Sequence, residues 1–278
     1  MRSSALVASV FVAACYSPAP PNGAWTCSAA TQACPSGYYC AADDTCWKND
    51  TKSDGGMKLD AGVGGGISCA GSTAPLCEDF ESGSIDASIW STTTMSGGQL
   101  SVDGEHVHRG SFALHSHTDF ISNASLAVAQ ITAMQKLFPM LQGGFYTRVF
   151  VYLSSPAPAT SDALLYAGRP SSNGITLGLN LGMDSIQLYD IDDSHDDTSS
   201  TTMPLGTWVC LEWGLNGDTS RAWLNGNELH DIDYTGSATG SYQTLSFGTN
   251  LFQPSNQAPT DLWIDDIIVD TSQIGCSR

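Results

Sequence analysis

Basic residues are scarce in this sequence. Of its 278 residues only 10 are Lys or Arg, against 28 Asp or Glu, and the formal net charge at pH 7 is −18. A surface of that sign repels phosphate backbones and, at long range, polyanionic glycans. The composition therefore argues against a nucleic-acid partner.

Several motifs that carry chemistry are missing as well. The sequence contains no Gly-x-Ser-x-Gly, no His-Glu-x-x-His and no Cys-x-x-Cys. These absences weigh against a serine-hydrolase elbow, a zinc-protease helix and a paired-cysteine redox or zinc site.

The long apolar run that a membrane span needs is also absent. The one candidate, Ala5–Ala14, is too short to cross a bilayer and is typical of a signal segment, which we place at residues 1–14. The run ends in Val-Ala-Ala-Cys15, which resembles a bacterial lipobox, so we expect Cys15 to carry the lipid; an ordinary cleaved signal with an incidental cysteine is the alternative. We therefore predict an exported protein that touches the outer membrane or cell surface only through this lipid anchor.

The remaining cysteines are even in number. Without Cys15, eight of the nine are left, and export favours disulfides. Four lie within residues 27–47, a module too small for a hydrophobic core, which we expect to be a spacer more than a ligand site. Four cysteines can pair in three ways, and we favour one of them. That pairing is Cys27 with Cys40 and Cys34 with Cys46. Polar, Pro-rich and Gly-rich stretches at residues 15–26 and 48–68 flank the module as a tether and a linker.

Residues 69–278 show a period of two, which predicts an all-β domain. Alternating segments occur at 144–153, 174–181, 208–213, 221–224, 245–251 and 261–269. Asn225-Gly226 between two of these segments is a two-residue hairpin signal. The segment Ser125–Phe138 is the only helix candidate, and its apolar spacing is ambiguous. Serial strands without helices between them indicate a sandwich or jelly roll.

Five segments of this domain are similar to a known superfamily. They are CEDFE (77–81), GSFALH (110–115), TWVCLEW (207–213) with RAWLNGNEL (221–229), and LWIDDIIV (262–269). They resemble concanavalin A-like lectins and glucanases, in particular LamG-type modules and the polysaccharide-lyase-like jelly rolls of bacterial lipoproteins. The resemblance implies two curved antiparallel sheets of six or seven strands with a glycan across the concave one. Disulfides Cys69–Cys77 and Cys210–Cys276 fit that architecture, but the Glu-x-Asp-x-x-Glu motif of laminarinase-type hydrolases is absent.

One strand offers a candidate glycan surface. Alternation along Phe145–Leu153 places Tyr146, Arg148 and Tyr152 on one face. Aromatic rings match the apolar faces of sugars, and a guanidinium fork matches hydroxyls or a uronate carboxylate. The alternative is that this face is covered by a loop.

Histidines form a second candidate site. His106 with His108 and His115 with His117 are predicted on two strands, each pair on a single face, where the four imidazoles could hold zinc, copper or nickel. One histidine could instead be a general base, and exposed strand histidines without a function are common.

Acidic residues give a third candidate. The densest acidic run (190–197) contains Asp190, Asp192 and Asp193. This segment is either a calcium-binding loop or a solvated acidic loop. Asp265 and Asp266 are a weaker calcium candidate, so calcium is a possible cofactor, although no cofactor is established by the sequence. Glu212 is a lone carboxylate on a central strand, for which a structural role is favoured.

Three functions follow from these features. The first is a surface-anchored module that binds a glycan or another extracellular ligand without catalysis, through Tyr146, Arg148 and Tyr152. The second is a polysaccharide lyase or glycoside hydrolase; in a lyase, Arg148 would neutralise a uronate while His115, His117 or Tyr152 takes the proton. The third is a structural surface protein.

Overall fold

The protein is described from a computed structural model, which divides into the units Met1–Leu59 and Asp60–Arg278. The structure describes residues 38–40, 46–48, 69, 72–133, 144–169, 174–180, 183–236 and 242–276. The predicted signal segment, the tether with Cys15, the linker and the cysteine pairing within 27–47 lie outside the described residues and side chains. In the first unit the described part is an antiparallel pair, β1 (Tyr38–Cys40) and β2 (Cys46–Lys48).

The second unit is a sandwich of two antiparallel sheets. Sheet A has seven strands in the order β13 (His195–Thr202), β12 (Ser185–Asp190), β11 (Ile175–Leu179), β10 (Asp162–Gly168), β18 (Thr244–Phe252), β8 (Leu126–Ala133) and β4 (Trp90–Met95). Sheet B has the order β16 (Asn227–Glu228), β15 (Thr219–Leu224), β14 (Trp208–Asn216), β9 (Phe145–Leu153), β20 (Thr260–Asp270), β6 (Ala113–Thr118) and β5 (Gly98–Asp103).

Short strands complete the architecture. In sheet B, β17 (Tyr234–Thr235) pairs with β15 and β3 (Leu76–Glu78) with β20, while β7 (Ile121–Asn123) and β19 (Ser255–Gln257) form a separate pair. The described residues contain a 3-10 turn at His230–Ile232 and no α-helix. None of their helical segments has the length and apolar character needed to cross a bilayer. The predicted all-β sandwich is confirmed.

The core lies between the two sheets because most of the long strands turn an apolar face inward. On β9, Val149 and Val151 point inward and join a single buried cluster with Leu177 and Phe247 of sheet A. This is the alternation that the sequence shows at residues 144–153. Ser116 also crosses the core, since its hydroxyl donates to the Ala129 carbonyl of sheet A at 2.7 Å.

The hairpin prediction at Asn225-Gly226 is confirmed. Both residues have positive φ angles, 50° and 82°, and Leu224 pairs with Asn227 across the turn. The Asn225 side chain also accepts the backbone N–H of Cys210 at 2.9 Å, which ties the turn to β14.

The helix candidate at Ser125–Phe138 is wrong over the part that the structure describes. Leu126–Ala133 is strand β8, which lies between β18 and β4. Residues on both faces of this strand are buried, so the apolar run has no clear period of two.

Both disulfides predicted for this domain are present. Cys69 is bonded to Cys77 of β3, and Cys210 of β14 is bonded to Cys276. The second bond closes 66 residues of chain and fastens the C-terminal segment to sheet B. In the chain-entropy model a loop of that length contributes about 4 kcal/mol.

The acidic motif that opens the domain binds neighbouring segments. Glu78 accepts the indole N–H of Trp90 at 2.8 Å, and burial raises the pKa of Glu78 although this hydrogen bond opposes the shift. Glu81 accepts the backbone N–H groups of Ser111 and Phe112 at 2.9 to 3.1 Å. The two carboxylates therefore hold β4 and the start of β6 in place.

Candidate functional site

The outer face of sheet B carries a row of aromatic rings. His115, Trp263, Tyr152 and Trp208 are direct cross-strand neighbours on β6, β20, β9 and β14. His106 stacks on Tyr152 at 4.1 Å and meets Trp263 edge-on at 4.4 Å. The row is therefore partly covered by the protein's own loop between β5 and β6.

Arg148, which the sequence placed on an exposed ligand-binding surface, is fully buried at 0% exposure. Its guanidinium donates to the Gly275 carbonyl at 3.4 Å. Beside it, Glu212 accepts the backbone N–H groups of Ile274 and Gly275 at 2.7 and 3.1 Å. The disulfide-bonded C-terminal segment covers this part of the sheet, so the prediction of Arg148 as a ligand contact is wrong and Glu212 has a structural role.

The other two predicted contacts are half-buried. Tyr146 lies 6.1 Å from the ring of Trp223, and Tyr152 lies under His106. Both rings are therefore partly covered by neighbouring aromatic side chains.

The predicted lyase arrangement is not assembled. Arg148 is four residues from Tyr152 along β9, a separation of roughly 13 Å at the rise of a strand. His115 and His117 are on β6, which β20 separates from β9. The cation and the candidate bases therefore do not share an open cleft.

Only one of the two histidine pairs lies on a strand. His106 and His108 are in the loop 104–112, which contradicts the prediction that they share a strand face. His108 stacks on Phe150 at 3.6 Å, and its Nδ1 lies 2.7 Å from Asp266. These contacts fold the loop back onto sheet B, so the four imidazoles do not converge. His115 and His117 remain together on β6.

The carboxylates of the first calcium candidate already have partners within the protein. Asp190 is fully buried, and its two oxygens accept from the guanidinium of Arg169 at 2.9 and 3.1 Å. Asp192 pairs with the same guanidinium, and Asp193 accepts the Tyr234 hydroxyl at 2.6 Å. Arg169 and Tyr234 thus occupy the carboxylate oxygens that a calcium ion would use, and the prediction of calcium at these residues is not supported.

The second calcium candidate binds the covering loop. Asp265 accepts the backbone N–H groups of His108 and Arg109 at 3.0 and 3.1 Å. Burial and the adjacent charge of Asp266 raise the pKa of Asp265. Asp266 faces His108 and, at 3.7 Å, Arg109. Both carboxylates therefore have protein partners where a cation was predicted.

An open cleft of about 260 Å³ lies on the outer face of sheet A. It is lined from β10, β11, β12, β13 and the end of β18, and none of the described residues that line it is basic. The lining residues are Ser161, Asp162, Ala163, Thr176, Gly178, Gln187, Tyr189, Asp196 and Phe252.

Asp162 is the buried carboxylate of this cleft. A β-bulge interrupts the pairing of β10 with β18, and there Asp162 Oδ1 accepts the backbone N–H of Asn250 at 2.7 Å. Its Oδ2 has no hydrogen-bond partner among the described residues. Burial raises the pKa of Asp162 to about 7, although the Asn250 hydrogen bond lowers it. The side chain therefore exchanges a proton near neutral pH.

The rest of the lining combines an aromatic surface with hydrogen-bonding groups. Tyr189 is half-buried and Phe252 is exposed, so both rings reach the cleft. Gln187 donates to Asp196 at 2.7 Å, which orients the amide and the carboxylate beside Tyr189. Flat rings flanked by amide and carboxylate groups match the C–H faces and hydroxyl rims of a sugar.

The lining residues sit on four consecutive strands and on β18, and no local pattern in the sequence shows that their side chains surround one cleft. A signal was present in Asp162, a carboxylate next to the apolar run Ala163–Ala167. A charged residue in such a run is costly to bury and often marks a site.

Comparisons with known proteins agree at the level of the fold. No family model matches the chain, and no curated protein matches it. Among solved structures, the cellulose-induced protein Cip1 superposes with a TM-score of 0.58 at 18% identity, covering 73% of this chain and 100% of Cip1. An endo-β-1,4-glucuronan lyase from the fungus Trichoderma reesei superposes with a TM-score of 0.51 at 13% identity, covering 72% of this chain and 96% of the lyase. The chain shares their jelly-roll fold. The predicted likeness to concanavalin A-like and polysaccharide-lyase-like jelly rolls is thereby confirmed for the fold.

Proposed function

We propose that this domain binds a neutral extracellular polysaccharide in the cleft on sheet A. The observation that carries the proposal is the lining itself, in which Tyr189 and Phe252 lie beside Gln187, Asp196 and Thr176 in an open cavity large enough for a sugar ring. Carbohydrate-sized ligands bind in concave sites that combine aromatic surface with a few polar groups.

Charge favours a neutral ligand over an acidic one. The cleft contains Asp162 and Asp196 and no basic residue among its described lining, and the whole chain carries a formal charge of −18. A uronate polymer would meet like charge both at long range and at contact. Cip1 is named for its induction by cellulose, and the second solved protein is a lyase of β-1,4-glucuronan, an acidic polymer. The acidic lining of the cleft in this chain makes a neutral β-1,4-glucan the first ligand to try.

Titration calorimetry with cello-, xylo- and manno-oligosaccharides and with oligoalginate tests this function. We expect binding of at least one neutral series and none of alginate. Tyr189→Ala should weaken binding about tenfold, because an aromatic contact of this kind contributes about 1–1.5 kcal/mol.

Tyr146→Ala is the matched control, since Tyr146 is a half-buried tyrosine on the outer face of the other sheet. It should leave the affinity unchanged. Loss of binding in the Tyr146 variant with retention in the Tyr189 variant would place the ligand on sheet B and contradict the proposal, as would the absence of binding to every glycan.

Cleavage of the bound glycan is a second candidate function, and Asp162 is the observation that favours it. A carboxyl with a pKa of about 7 is present in both protonation states at neutral pH, as a general acid or base requires. Prolonged incubation with each glycan, followed by reducing-end and ultraviolet absorbance assays, separates the two functions. Product formation that Asp162→Asn abolishes would establish catalysis, while retention of intact oligomers supports binding alone.

We also propose, from the sequence, that the domain is exported and held at the cell surface by a lipid on Cys15. Labelling of the full chain in a bacterial host with a radioactive fatty acid tests this anchor. The wild type should incorporate the label and fractionate with membranes, and Cys15→Ser should do neither. Equal labelling of both proteins would contradict the anchor.

A further inference from the structure

Two histidines and an aspartate converge on the outer face of sheet B, away from the cleft on sheet A. His115 and His117 are two residues apart on β6 and therefore share a face, and Asp261 of β20 is the direct cross-strand neighbour of His117. One ligand atom from each side chain lies within 4.8 Å of the other two. We propose that these three residues bind a zinc ion.

The distances suit a metal ion after small side-chain movements. His115 Nε2 lies 2.9 Å from Asp261 Oδ1, and His117 Nδ1 lies 2.6 Å from the same oxygen. Ligand atoms of a tetrahedral zinc lie roughly 3.3 Å apart, as bond lengths of about 2.0–2.1 Å require. A zinc ion therefore needs Asp261 Oδ1 to move away from the two ring nitrogens by a fraction of an ångström, which half-buried side chains allow.

A second layer of carboxylates orients the imidazoles. The other ring nitrogen of His115, Nδ1, lies 2.9 Å from Asp103, and the other ring nitrogen of His117, Nε2, lies 3.2 Å from Asp119. Carboxylates that accept the second N–H of a ligating histidine are the usual outer shell of protein zinc sites, because they fix the tautomer and make the ligand nitrogen more basic.

Trp263 makes the arrangement rigid. Its indole stacks on the His115 ring at 4.1 Å with an interplanar angle of 15°, and its Nε1 donates to Asp103 at 3.2 Å. The stacking fixes the ring plane of His115, and the hydrogen bond fixes the carboxylate behind it. The ligand atoms are thus held in place before any metal binds, which lowers the entropic cost of binding.

The site leaves a coordination position open to solvent. The side chains of His115, His117 and Asp261 are 16%, 26% and 29% exposed. Three protein ligands with an open fourth position are typical of zinc that holds a water molecule or an external ligand, in contrast to closed structural sites with four protein ligands. The natural fourth ligand is therefore water or a donor atom from a bound molecule.

A second cluster on the same domain provides a control. Glu228, His230 and Asp233 also lie within reach of one ion, but this group has a single imidazole, and the His230 side chain is 75% exposed. We expect it to bind zinc far more weakly, since carboxylates and one mobile histidine suit zinc poorly.

Zinc titration of the metal-stripped, oxidised chain tests the proposal, with calorimetry for stoichiometry and cobalt substitution for geometry. We expect one zinc per chain and a visible cobalt spectrum of tetrahedral intensity. His115→Ala and His117→Ala should each weaken binding at least 100-fold, and Asp103→Asn, which acts through His115, about 10- to 100-fold. His230→Ala should leave both readouts unchanged.

Fold integrity is checked for each variant by circular dichroism, and Asp261→Asn replaces any histidine variant that fails to fold. Absence of stoichiometric zinc binding by the wild type would overturn the proposal. So would unchanged affinity in folded His117→Ala or Asp261→Asn, or a loss of binding confined to His230→Ala.

Discussion

Replacement of Asp162 by asparagine should make the domain more stable, and the gain should grow with pH. Burial raises the pKa of Asp162 from 3.8 to about 7. In the unfolded chain this carboxyl is ionised above about pH 4, so between pH 4 and pH 7 folding requires the uptake of a proton. A raised carboxyl pKa therefore contributes stability at low pH that is lost as pH rises towards 7. Asparagine keeps an oxygen for the Asn250 N–H and carries no charge.

The magnitude follows from the two pKa values. Each unit of difference corresponds to about 1.4 kcal/mol, so the full cost of the ionised form is about 4 kcal/mol above pH 8. At pH 5 only about a third of this cost is present, because the folded carboxyl is still protonated and the pH lies only a little above the pKa of the unfolded one. The stability gained by Asp162→Asn should therefore increase by roughly 2–3 kcal/mol between pH 5 and pH 8.

Urea denaturation of both proteins across this pH range, at constant ionic strength, measures the effect. Asp196→Asn is the control, because Asp196 lines the same cleft but is exposed. It should give a difference that hardly changes with pH. A difference for Asp162→Asn that stays constant from pH 5 to pH 8 would show that Asp162 does not retain a proton near neutrality, and the reasoning would fail.

Three further substitutions test the fold. Replacing Cys210 and Cys276 together by serine should lower the free energy of unfolding by about 4 kcal/mol, and an equal stability of oxidised wild type and double variant would contradict the loop argument. Gly226 has a φ of 82°, so Gly226→Ala should lower the free energy of unfolding, measured by thermal or urea denaturation, by about 1 kcal/mol. An unchanged stability would show that the turn relaxes. Trp90→Phe removes the indole N–H that donates to the buried Glu78, so it should lower the free energy of unfolding by about 1–3 kcal/mol at pH 7 and by less at pH 4. A loss of stability that does not depend on pH would show that Trp90 acts only through packing.

The sequence predicts those parts of this fold that local patterns determine. Alternation at 144–153 identifies β9, and Asn225-Gly226 identifies the hairpin between β15 and β16, because each signal depends on residues next to one another. The strand Leu126–Ala133 is ambiguous in sequence for the opposite reason. Its two faces are covered by different parts of the molecule, which removes the period that separates a strand from a helix.

The positions of functional side chains depend on contacts between distant segments, and local patterns do not contain them. Alternation places Arg148 on the outward face correctly, but the segment that buries it arrives from residue 275 through a disulfide. In the same way, Asp190 looks like a calcium ligand until Arg169, two strands away in sheet A, is seen to pair with it. The cleft beside Asp162 is formed by five strands, so it can be identified only when their positions in sheet A are known.

Hydrogen–deuterium exchange with and without saturating oligosaccharide measures directly whether the glycan lies on sheet A or on sheet B. We expect slower exchange of the backbone amides at Gly178, Gln187, Tyr189 and Asp196, with no change around Tyr152 and Trp263. Protection confined to Tyr152 and Trp263 would contradict the proposed binding site.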